Sequence, residues 1–188
     1  MKVNIGVSAR HVHVTKEDVK ILFGEEYSLT NKCPLSQKGQ FACEEQVTIE
    51  GSKGSIERVR ILGPERGKTQ VEVSKTDAFK LGVNPPVRNS GDLNGAGEIT
   101  IIGPKGSITK NALIIAARHI HSNYEDAKKY GFIDKECVSL KIDGQRPGVL
   151  EKVYVRLDDS FSLEVHIDTD EANAFLIKNG DQGNLIIE

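Results

Sequence analysis

Polar and apolar positions along this chain alternate in short runs instead of recurring at helical spacing. Residues 46–50, 56–62, 69–73, 98–102, 107–108, 139–142, 152–157, 162–167 and 184–187 alternate or form brief β-branched runs, which predicts strands. Between them, Gly51-Ser52-Lys53-Gly54, Gly103-Pro104-Lys105-Gly106 and Asp143-Gly144 supply turn chemistry. Helix signals are few. Thr15 and Asn123 each stand as an N-cap ahead of acidic residues, predicting helices over 16–23 and 124–130 that stop at Gly24 and Gly131. Ser74 opens a third helix that ends at Gly82, and Asp168 or Thr169 caps a fourth running to Lys178. Many short strands with Gly-rich turns predict a mainly β fold of small barrels or sandwiches. Residues 84–92, with two prolines and then turn formers, are the expected internal linker.

The pattern also repeats. SARHVHVTKEDVKILFG from Ser8 lies over AARHIHSNYEDAKKYGF from Ala116, with seven identities at one constant offset: Ala9/Ala117, Arg10/Arg118, His11/His119, His13/His121, Glu17/Glu125, Asp18/Asp126 and Lys20/Lys128. A second, weaker pair of blocks sets Val71–Ala78 against Val165–Ala172 and places Glu72 opposite His166. Each of these four blocks is followed by a helix N-cap, two residues after His13, Glu72, His121 and His166. Two copies make this a degenerate duplication and not a solenoid.

Composition narrows the function. The 188 residues carry 25 Lys and Arg against 27 Asp and Glu, a net charge of −2, so the strong basic footprint of non-specific nucleic-acid binding is missing. No apolar run is long enough to span a membrane. The first residues contain no apolar signal segment, and Cys33, Cys43 and Cys137 have no paired spacing; a cytoplasmic protein with reduced thiols is expected.

All five histidines fall in the repeated blocks. In a strand, residues i and i+2 share a face, so His11 and His13 aim two imidazoles one way, and His119 and His121 do the same. Two such nitrogens suit zinc or a similar divalent ion, and the second block offers a third donor. The repeat therefore predicts two metal sets: His11, His13 and Glu72, and His119, His121 and His166. Asp92 or Glu98 is the alternative to Glu72. Three protein donors leave a coordination position open, the mark of a catalytic metal. After neither His-x-His does the pattern continue as in metallo-β-lactamase-type hydrolases, and no His-Glu-x-x-His or phosphate-binding Gly-rich loop is present. Arg10 and Arg118, alternate to the ligands, are expected to support them from behind.

Several motifs together resemble the PduL-type phosphate acyltransferases, or phosphotransacylases. They are Ser8-Ala9-Arg10-His11-Val12-His13-Val14, Arg66 with Thr69-Gln70-Val71-Glu72-Val73-Ser74, Pro86-Val87-Arg88-Asn89-Ser90-Gly91-Asp92, Ala117-Arg118-His119-Ile120-His121 and Val165-His166. The resemblance implies two interleaved β-barrels with short capping helices, a central one over about 45–115 and a second from about 1–14 plus 135–188. It implies transfer of a short acyl group between coenzyme A and inorganic phosphate, with acyl-CoA, CoA and phosphate as partners and two zinc or similar divalent ions as cofactors. It places the metal ligands on the same six residues and a phosphate-contacting arginine on Arg66, and it suggests CoA contacts at Ser8, Arg60 and Asn173. From the residues alone, Arg66 reads as part of a solvated hairpin tip, and the cysteines read as structural. Family members inside bacterial microcompartments carry an N-terminal extension ahead of the first strand, so a free cytoplasmic enzyme is the expectation here. A homodimer is compatible with the sequence, which has no clear signature of oligomeric state. The competing function classes are a metal-dependent thioester hydrolase and a non-catalytic metal-dependent ligand-binding module.

Overall fold

A computed structural model describes residues 1–187. Along the chain the first elements are β1 (Lys2–Ser8), β2 (His11–His13), α1 (Lys16–Phe23), β3 (Asn31–Pro34), β4 (Phe41–Glu50), β5 (Ser55–Gly63), β6 (Gln70–Glu72), α2 (Lys75–Leu81), β7 (Val87–Arg88), β8 (Gly97–Ile102) and β9 (Ser107–Ala116). Then follow β10 (His119–Ser122), α3 (Tyr124–Tyr130), β11 (Cys137–Ile142), β12 (Gly148–Leu157), β13 (Glu164–Asp168), α4 (Thr169–Phe175) and β14 (Gln182–Ile186). No helix among the described residues is long and apolar enough to cross a membrane.

The chain forms two compact units. One comprises Met1–Ala9, Ser36–Lys38 and the residues from Ala117 onward; the other comprises Arg10–Leu35 and Gly39–Ala116. The first unit is a closed barrel in the order β1-β13-β10-β12-β11-β14. In the second, β4, β5, β2, β6, β9 and β8 pair in turn, and β8 returns to β4, so six strands close here as well. Strands β3 and β7 attach to β4 and β9. The fold is thus mainly β with short helices, built on two six-stranded rings.

Pairing in the two rings is the same. β2 lies parallel to β5 and antiparallel to β6; β10 lies parallel to β12 and antiparallel to β13. β6 runs parallel to β9, as β13 does to β1. The counterpart of β9 is therefore β1, at the opposite end of the chain, and the duplication is closed by a strand taken from the N-terminus. Residues 1–14 are accordingly divided: β1 enters one ring and β2 the other. The units change over at Ala9/Arg10, inside the first Ala-Arg motif, and at Ala116/Ala117, immediately before the second.

Alternation explains why the histidine strands hold their place. Val12 and Ile120, each flanked by two histidines, are fully buried and belong to the apolar cores of their units. Val12 shares its core with Ile49, Ile61, Val71, Leu81 and Leu113, and Ile120 shares its core with Ile5, Leu140, Val153, Val165 and Ile167. The histidines occupy the other face of the same strands.

Three local expectations are corrected. β9 runs on from the expected 107–108 to Ala116, because Ala112-Leu113-Ile114-Ile115 is a continuous apolar run buried on both faces and shows no alternation. Helix α4 stops at Phe175, not Lys178: Leu176 adopts the left-handed conformation (φ 59°), and the Ile177 N–H then bonds the Ala172 carbonyl at 2.9 Å. Ile177 is thereby turned onto the barrel core. Residues 84–92 are not a linker but lie inside the second unit, where β7 pairs with β9 and the Gly91 N–H donates to Gln70 Oε1 at 2.7 Å.

Candidate metal centres

Strand register brings each predicted donor set together. In the β2–β6 pair His11 stands opposite Glu72, and in the β10–β13 pair His119 stands opposite His166. With His13 and His121 two residues along on the same face, each set places one donor atom per residue within 4.8 Å of the others. His11 Nε2 is 3.5 Å from Glu72 Oε2, and the His11 and His13 rings meet edge-on at 4.9 Å. In the second set the His119 and His166 rings are nearly parallel at 5.2 Å, with His121 4.7 Å from each. His11, His13, Glu72, His119 and His121 are buried, and His166 is half-buried.

The chemistry of these donors fits divalent cations. His13 Nδ1 lies 3.3 Å from the Leu62 carbonyl and His119 Nδ1 lies 2.9 Å from the Ala117 carbonyl. A carbonyl only accepts, so Nδ1 carries the proton in each ring and Nε2 keeps the lone pair that binds metal. Burial, reinforced by His11 and Arg66, pushes the His13 pKa down to about 3, which keeps that ring neutral. In metal-free protein this has a consequence for stability. Below the ordinary value of 6.5 the unfolded chain takes a proton that folded His13 refuses until about pH 3. Stability is whole above pH 6.5 and is lost as the pH falls toward 3, with a limiting slope of about 1.4 kcal/mol per pH unit from this residue. Denaturant titrations of metal-free wild type and His13→Gln across that range should differ by that slope; parallel curves would show that His13 is protonated in the fold.

Each centre has a further polar neighbour that the sequence reading did not single out. Gln70 Nε2 donates to Glu72 Oε1 at 2.6 Å, while Gln70 is itself fixed by Ser90 Oγ at 2.9 Å and by the Gly91 N–H. Ser90 and Gly91 of the Arg-Asn-Ser-Gly-Asp segment thus fix Gln70 against Glu72. Glu164 Oε2 lies 2.9 Å from His166 Nε2 and accepts from Ser36 Oγ. Burial works against ionisation of Glu164, but His166, Ser36 and Gln37 outweigh it and hold the carboxyl below its ordinary pKa. Both neighbours stand two residues before the third ligand, and extending the same-face rule by one step would have found them.

Arg10 and Arg118, expected to support the donors from behind, each pair with a carboxylate of a neighbouring helix. Arg10 Nη1 meets Asp77 of α2 at 3.1 Å, and Arg118 Nε meets Glu171 of α4 at 2.6 Å. Each ties the turn before a His-x-His strand to the helix that follows the third ligand.

The other candidates are placed as follows. Arg66 is half-buried, exerts its charge on His13, and has Nη2 3.4 Å from Gln40 Oε1. It is not at a hairpin tip: β5 and β6 flank β2 on opposite sides, so residues 64–69 cross over the end of β2, and the Arg66 N–H bonds the Val14 carbonyl at 2.8 Å. Arg60, opposite His11 in register, turns Nη1 to the Cys43 and Glu44 carbonyls at 2.8 Å each. Ser8 ends β1 opposite Asp168, and Asn173 is exposed on α4; both belong to the first unit, Arg60 to the second. Of the cysteines, all read as structural, only Cys43 is buried, and burial pushes its thiol up to about 11; Cys33 and Cys137 are exposed.

Known proteins resemble this chain along most of its length. A family profile described as phosphate propanoyltransferase matches residues 4–178. The phosphate propanoyltransferase of Priestia megaterium is 57% identical over 184 residues, covering 97% of this chain and 85% of the relative. That of Thermotoga maritima is 53% identical over 179 residues, covering 94% and 85%. That of Listeria monocytogenes is 45% identical over 185 residues, covering 98% and 87%.

Proposed function

Since this chain belongs to the phosphate propanoyltransferase family and is therefore a phosphate acyltransferase, we propose that it interconverts a short-chain acyl-CoA and inorganic phosphate with acyl phosphate and CoA, using two divalent cations. The observation that carries this reading is the pair of three-donor sets at matching register. His11, His13 and Glu72 would hold the cation that serves the CoA sulfur, and His119, His121 and His166 the one that serves phosphate. When bound, such cations supply Lewis acidity to the carbonyl or phosphoryl oxygens and to the departing thiolate, and zinc suits both imidazole and sulfur.

The chain's own residues bind and orient. Arg66, always charged and with a planar fork of donors, holds phosphate by charge-assisted hydrogen bonds. A phosphate oxygen attacks the thioester carbonyl carbon, the carbon–sulfur bond breaks, and the electron pair leaves on sulfur. No protein nucleophile is needed, and Cys43, a buried thiol with its pKa raised, is unsuited to be one. Ser8, Arg60 and Asn173 are the proposed CoA contacts.

The test is incubation with acetyl-, propanoyl- and longer acyl-CoA, with and without phosphate. Acyl phosphate should form only when phosphate is added. CoA release without phosphate would instead make the protein a thioester hydrolase, and absence of any reaction would make it a binding module.

A further inference from the structure

Two positions on each third-ligand strand face the donor set, and they carry different residues in the two units. In the β2–β6 pair Gln70 stands opposite His13 and Glu72 opposite His11; in the β10–β13 pair Glu164 stands opposite His121 and His166 opposite His119. The register makes Gln70 equivalent to Glu164 and Glu72 equivalent to His166. One centre thus pairs an amide with a carboxylate ligand, and the other pairs a carboxylate with an imidazole ligand. The exchange keeps a single carboxylate in each centre and moves it by two residues.

The surroundings of Glu164 are built for it. Its side chain is only 14% exposed. Ser36 Oγ donates to Oε2, and Gln37 Nε2 approaches the same oxygen at 3.5 Å. Gln37, 3% exposed, is anchored in turn by both backbone groups of Ser162, each at 3.1 Å. Glu164 Oε2 lies 2.9 Å from His166 Nε2, so the carboxylate is held directly against the imidazole of the third donor. Room for the pair comes from Gly6, opposite His166 in β1: a Cβ there would stand 3.1 Å from Glu164 Cδ and 3.3 Å from His166 Cε1. The equivalent position of the other unit, opposite Glu72, is Ile114.

We propose that Glu164 is the positioning carboxylate of the second metal centre, which supplies beside His166 the negative charge that Glu72 supplies in the first and so sets how tightly that centre holds its cation. This rests on the two-cation reading above. Three neutral imidazoles leave a divalent cation's charge uncompensated in a largely buried site, and a fixed carboxylate at its edge offsets that cost. Neighbours of this kind typically change metal affinity by about ten- to a hundredfold.

The experiment measures zinc retention by wild type, Glu164→Gln, Ser36→Ala and the double variant Glu164→Gln/His166→Glu against a competing chelator. The unfolding midpoint of each metal-free protein is measured in parallel. Glu164→Gln is expected to hold one equivalent as wild type does and the other about ten- to a hundredfold more weakly, with the metal-free midpoint unchanged. Ser36→Ala, which frees the carboxylate from one donor, should weaken the same equivalent by less. The double variant, which recreates the Gln70/Glu72 arrangement, should regain two tightly held equivalents. Unchanged affinity for both equivalents in Glu164→Gln and Ser36→Ala overturns the proposal while leaving the two metal sets standing. A wild type that takes up no zinc overturns the metal reading itself.

Discussion

His166→Ala protein is expected to bind about one metal equivalent per chain where wild type binds about two, and to form acyl phosphate about a thousandfold more slowly or worse. The donor set on β10 and β13 has only three members, and two imidazoles hold a divalent cation far less well than three. Losing a cation that stabilises transition-state charge costs several kcal/mol, and each 1.4 kcal/mol is about a factor of ten. The substitution should spare the fold. His166 lies between Val165 and Ile167 on β13, and those two residues, not His166, enter the barrel core. Metal analysis with steady-state kinetics decides the matter: two equivalents retained with full activity would remove His166 from the metal set.

Arg66→Ala is expected to lower kcat/KM for phosphate by about a hundred- to a thousandfold, with metal content unchanged. The guanidinium is close enough to His13 to depress its pKa, and the backbone N–H is pinned to the Val14 carbonyl, one residue past that ligand. A charged fork held there by its own main chain is placed to bind an anion. The side chain is half-buried, with Nη2 3.4 Å from Gln40 Oε1. Arg66→Lys should recover part of the loss, because it keeps the charge but not the two parallel donors. Equal loss of metal and activity in Arg66→Ala would instead make the residue a structural prop of the first centre.

Much of the site was legible because its geometry is local. His-x-His on a strand puts two rings on one face whatever the rest of the chain does. The repeat then transferred that rule from one half to the other and set Glu72 against His166, and the β2–β6 and β10–β13 registers follow the same correspondence. Helices over 16–23 and 124–130 were readable because Thr15 and Asn123 accept from the N–H of Asp18 and Asp126 three residues on. The end of α4 was not readable, since Leu176 takes a left-handed conformation that favours glycine in isolation and is held here by Ile177 packing on the core.

By itself, then, the sequence determined which six side chains gather in two sets of three, the family and the mainly β character. These rest on spacing within each short motif and on the repeat of the motifs between the two halves of the chain. Tertiary structure alone decided that β1 closes the ring opposite to the one β2 enters, that Arg66 sits on a crossover beside His13, and that Glu164 stands beside His166 with Ser36 and Gln37 around it. Those facts depend on pairings between residues far apart in the chain, Gly6 with His166 and Ser36 with Glu164 among them. Period-two alternation says which face a side chain takes, but not which distant strand or loop will meet that face. The clearest case is charge: Glu72 and His166 make the two donor sets differ, the difference is offset two residues away by Gln70 and Glu164, and only the folded register makes the exchange visible.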